Sequence, residues 1–85
     1  MTAKGLVESV LFDFQGAAQA YELAASTAVD PQFAQRATLK AGEMYDAMHK
    51  REAALEKYKA VIAANSDSAS VEMARHYMKQ AYTIE

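Results

Sequence analysis

The residues that could do chemistry in this chain are few, and their spacing decides against most of it. His49 and His76 are the only imidazoles, and Glu72 stands four residues before His76. On a helix that spacing puts carboxylate and ring on one face, which is half of a zinc site. A second ligand pair is missing, so Glu72 and His76 read as a surface pair. Cysteine is absent, which removes thiolate ligands and disulfides. Ser66, Ser68 and Ser70 have no base beside them and read as turn and cap residues. Gly5, Gly16 and Gly42 are isolated, so no phosphate-cradling loop is built. Neither catalysis nor a metal or cofactor is expected.

Charge excludes further classes. The 85 residues carry a formal net charge of −2, with no block of like charges. Lys50, Arg51, Lys57 and Lys59 read as a solvated helix face rather than a stripe for phosphates, so no nucleic-acid partner is expected. No apolar run approaches the roughly 20 residues that span a bilayer, so membrane insertion is not expected. Met1-Thr2-Ala3-Lys4 leads into no signal-like apolar block, which makes a soluble, cytoplasmic protein the default expectation.

The helical period dominates throughout. Leu6, Val10, Phe14 and Ala17 recur at that spacing, as do Leu39, Gly42, Tyr45 and Met48. Leu55, Tyr58, Val61 and Ile62 follow, then Val71, Ala74, Tyr77, Met78 and Ala81. Local signals divide the pattern. Asp13 can cap a helix that starts near Phe14. At Asp30-Pro31 the Asp caps, and the Pro loses nothing at the first helical position. Asn65-Ser66-Asp67-Ser68 is a run of turn formers, with Asp67 or Ser68 placed to cap the last helix. The break near His49-Lys50 lacks Gly or Pro. These signals predict an all-α fold of five helices, near residues 3–12, 14–28, 31–48, 51–64 and 68–83. Short connections require antiparallel neighbours. The alanines between residues 17 and 25 suit close approach of helix axes.

One pattern occurs twice. Ala17, Tyr21 and Ala24 lie 37 residues before Ala54, Tyr58 and Val61. Each copy sets a small residue four places before a tyrosine, with a small-to-medium apolar residue one turn on. Gly42 and Tyr45 precede the second copy, and Asp13-Phe14 forms an acidic-aromatic turn before the first. With these residues the chain resembles the tetratricopeptide repeat family, whose helix–turn–helix units run to about 34 residues. Gly5 takes the glycine place of the earlier unit, with Glu8 where the family has tyrosine. Ala74 and Tyr77 begin a third unit that stops after one helix. Phe12 and His49 stand where the family often has glycine, and Ser66 where proline is common. The resemblance implies a short right-handed array: helix pairs over 1–30 and 31–66, and a capping helix over 67–85.

The same resemblance implies a function. In such arrays the first helix of each pair lines a concave groove, and the partner is a protein or peptide. It places Arg36, Leu39, Glu43, Asp46 and Ala47 toward the groove from one helix, and Val71, Arg75, Met78 and Lys79 from the last. The groove would be mixed in charge over an apolar floor, and surface pairing of Lys40 with Glu43 is the alternative reading of those charges. The paired asparagines that some members use to grip a terminal carboxylate are missing, since Ala3, Lys40 and Glu72 hold the matching places. A second reading is a self-associating unit. Leu6, Val7, Val10 and Leu11 put apolar residues on more than one face of the first predicted helix, which would support a weak homodimer.

Overall fold

The computed structural model describes residues 13–83, and the described chain is all-α, with no strand among those residues. Four helices follow one another: α1 (Phe14–Thr27), α2 (Pro31–Ala47), α3 (Arg51–Ala64) and α4 (Ser68–Lys79). The helix expected near residues 3–12 lies outside the described residues, as do Gly5, Phe12 and the self-association residues Leu6, Val7, Val10 and Leu11.

Each start has a local cause. The Asp13 carboxylate accepts the Gly16 N–H at 3.0 Å, and the Asp30 carboxylate accepts that of Gln32 at 3.0 Å. Pro31 follows in the first turn, where no N–H is needed. The break between α2 and α3 is made without glycine. His49 adopts φ 63, and the Lys50 N–H returns to the Tyr45 carbonyl at 2.8 Å. Asn65 closes α3 in the left-handed region, φ 49, which asparagine tolerates.

The three connections are three residues each, so every helix turns back along the one before. α1 packs on α2, α2 on α3, α3 on α4, and α2 also touches α4. The main core joins α2, α3 and α4 through Leu39, Ala54, Tyr58, Val61, Val71 and Ala74. The α1–α2 seam is lined by buried alanines, Ala18, Ala37 and Ala41. Here the repeated pattern points one residue aside. Ala18 is fully buried, while Ala17, Tyr21 and Ala24 are only half-buried. Glu22, four residues after Ala18, sets the orientation: its Oε2 accepts from the Tyr45 hydroxyl at 2.8 Å and pairs with Lys57 Nζ at 2.8 Å. One carboxylate thus ties α1 to both α2 and α3.

Gly42 is required by packing. A Cβ there would meet Tyr58 Cε1 at 2.7 Å and Lys57 Cβ at 3.1 Å. The missing side chain lets α2 lie against the Tyr58 ring, which is wholly buried.

Candidate interaction surface

The frame of this surface is a buried polar knot at the C-terminal end of α2. Asp46 Oδ2 accepts from the Tyr58 hydroxyl at 2.6 Å, and Arg51 Nη1 donates to both carboxylate oxygens at 2.9 and 3.1 Å. Arg51 Nη2 donates to the carbonyls of Tyr77 and Met78, at 2.6 and 3.0 Å, and the Tyr82 N–H donates to Asp46 at 3.2 Å. In a continuing helix the Tyr82 N–H would bond to the Met78 carbonyl. Arg51 takes that carbonyl and Asp46 takes that N–H. The helix expected to reach residue 83 therefore ends at Lys79, with Gln80 extended. Tyr58, Tyr77 and Tyr82 meet in series beside the knot, the first pair tilted and the second edge-to-face, with ring centroids 5.5 and 5.4 Å apart. Burial and the bond to Asp46 push the Tyr58 hydroxyl far above its ordinary pKa.

A second tie holds the other end. Gln35 is buried, and its Oε1 accepts the N–H groups of Ser66 and, at 3.1 Å, Asp67. Its Nε2 donates to the Asp67 carbonyl at 3.1 Å. Asp67 holds the cap position of α4, but its carboxylate accepts from the Ser70 hydroxyl at 2.6 Å instead of a backbone N–H. With Gln35 meeting the start of α4 and Asp46 meeting its end, α2 and α4 run in the same direction, side by side.

Between these ties one face of α2 stays open. Phe33, Arg36 and Lys40 are exposed and Met44 and Ala47 half-exposed, at spacings that form one helical stripe. Phe33 is 51% exposed, unusual for so large an apolar side chain. On α4 the open stripe is Ser68, Glu72, Arg75 and Lys79.

The groove residues implied by the family resemblance divide between covered and open positions. Leu39 is in the core, and Asp46 is inside the knot. Glu43 is 2% exposed, with Lys40 Nζ 3.5 Å away, and burial raises its pKa against the opposing pull of Lys40. Val71 is buried and Met78 half-buried against the core. Arg36, Arg75 and Lys79 are exposed, and Arg36 Nε lies 3.8 Å from Asp67. Of the implied α2 residues, Leu39, Glu43 and Asp46 thus lie in the seam toward α3 and α4, while Arg36 and Ala47 fall on the open stripe with Phe33, Lys40 and Met44. Phe33 and Lys40 share the spacing of that stripe in the sequence, so the polar and aromatic residues on it were a usable signal. Gln35 and Arg51 carried no such signal, because their partners lie across turns.

No family model, curated protein or solved structure matches the chain. Among the described residues, no group of three or more His, Asp or Glu side chains could hold a metal ion. None of the described helices is long and apolar enough to cross a membrane.

Proposed function

We propose that the chain is a non-enzymatic protein-interaction module, a short array of the tetratricopeptide type that docks a peptide or helix of a partner on the open face of α2 and α4. The observation that carries this reading is Phe33. A half-exposed aromatic ring stands on a stripe otherwise made of bases and small or flexible apolar residues, on a helix anchored at both ends. Rigid helices presenting such a stripe suit an aromatic anchor with charged register contacts. The array reading is supported by the order in which the helices pack and by Gly42 against Tyr58, a glycine-to-tyrosine contact at the positions where the resemblance has its small and large residues.

The test is selection of a random peptide library on the immobilised chain. Binders should lose affinity for a Phe33→Ser variant and keep it for Lys59→Ser, a change on the exposed side of α3. Binders indifferent to Phe33, or no binders, would remove the reading.

A specific observation favours self-association as a second reading. Leu23 and Val29 are 65% and 98% exposed, close to the connection between α1 and α2. Sedimentation of wild type against a Leu23→Glu, Val29→Glu variant decides it: a concentration-dependent dimer lost in the variant supports it, and a monomer at every concentration rejects it.

A further inference from the structure

We propose that the open α2–α4 face takes an acidic segment of a partner chain, held by Arg36, Lys40, Arg75 and Lys79, with the Phe33 ring at one end. The inference rests on the reading of the chain as an interaction module and names the chemistry of its partner.

Charge is separated across the fold. The chain as a whole is acidic, net −2. Its carboxylates on α2 and at the start of α4 are covered or already engaged. Asp46 is covered and paired with Arg51, Glu43 is covered beside Lys40, and Asp67 accepts from Ser70. The exposed carboxylates Asp13, Asp30, Glu52 and Glu56 sit on α3 or in front of α1 and α2. The open stripes keep four bases and one exposed acid, Glu72. Arg75 and Lys79 meet no carboxylate among the described residues, and Arg36 has only the loose contact with Asp67. A face whose sign runs against that of the whole chain steers an oppositely charged partner to one place.

Geometry limits the partner's form. The 17 residues of α2 rise about 25 Å, a length covered by about eight residues of extended chain. Because α2 and α4 run the same way, Arg36 lies near one end of the face and Lys79 near the other. Phe33, Met44 and Ala47 add apolar surface between and beside the bases. An acidic peptide with one or two apolar anchors satisfies both features. A polyphosphate chain would leave Phe33, Met44 and Ala47 unused.

The test is fluorescence anisotropy with three labelled probes: a short peptide of glutamates with leucine anchors, its counterpart with lysine for glutamate, and a single-stranded thymidine oligonucleotide. The acidic peptide should bind, weaken with added salt, and weaken about tenfold when Arg36→Gln, Arg75→Gln and Lys79→Gln are combined. Thermal melting of the triple variant checks that the fold is kept. Binding of the basic peptide or the oligonucleotide as tightly as the acidic one overturns the inference. So does acidic-peptide binding that ignores the triple variant, or none at all. If library-selected peptides still depend on Phe33 in those cases, the module reading survives and only the partner's chemistry is wrong.

Discussion

Replacing Gly42 with alanine sets two known effects against each other at one atom. In an open helix position the change would stabilise by about 0.8–1 kcal/mol, because alanine is the better helix former. Here the new Cβ would lie 2.7 Å from Tyr58 Cε1 and 3.0 Å from Cδ1. The ring has little room to retreat. It is wholly buried, its hydroxyl is fixed to Asp46 at 2.6 Å, and Tyr77 stands 5.5 Å away, centroid to centroid. Overpacking in such a place costs about 1–3 kcal/mol, and an immobile neighbour puts it near the upper end. The net loss should be about 2 kcal/mol. For a domain this small that lowers the melting temperature by about 8–16 °C. Thermal melting by circular dichroism reads it directly, and a cycle with Tyr58→Leu isolates the contact, since Gly42→Ala should cost much less on that background. If Gly42→Ala melts with wild type or above it, the α2–α3 approach described here is wrong.

Other substitutions probe the turn, the knot and the buried acid. His49→Gly should stabilise by about 0.5–1 kcal/mol, because φ 63 strains a side-chain-bearing residue; a loss in chemical denaturation would contradict the turn geometry. Arg51→Ala should cost about 2–3 kcal/mol, less than a fully buried pair because 35% of the Arg51 side chain meets solvent, and should speed hydrogen exchange at Tyr82; unchanged exchange there would refute the knot. Glu43 has a folded pKa raised above its ordinary 4.5, so its contribution to stability is full below that value and is lost as pH rises through the folded one. Glu43→Gln should therefore raise the melting temperature at pH 7, with the advantage vanishing in acid; a loss at pH 7 would mean the carboxylate is better solvated than its burial implies.

What the sequence disclosed were features that act over a few residues. Asp13 and Asp30-Pro31 cap helices because their side chains reach N–H groups two or three positions on. The helical period and the alanine seam followed from residue size, and Gly42 with Tyr58 was visible as a small residue and a large one. Features that depend on a turn's path were not visible. Asp46 and Arg51 are five residues apart on different helices, and only the left-handed His49 brings them together. The end of α4 depends on that pair, so periodicity carried the helix past Lys79. In α1 the repeated pattern chose Ala17 and Tyr21, whereas Lys57 and Tyr45, from other helices, draw Glu22 inward and make Ala18 the contact. On α2 the sequence did not show that Leu39, Glu43 and Asp46 are covered while Arg36 and Ala47 stay open, because the covering elements are distant in sequence.

Mapping a bound peptide onto the fold tests the central claim most directly. Amide chemical shifts of the isotope-labelled chain would be followed as a library-selected peptide is added. The shifts should concentrate at Phe33, Arg36, Lys40, Met44 and Ala47 on α2 and at Glu72, Arg75 and Lys79 on α4. Shifts centred on the outer side of α3, at Glu52, Glu56 and Lys59, would contradict it.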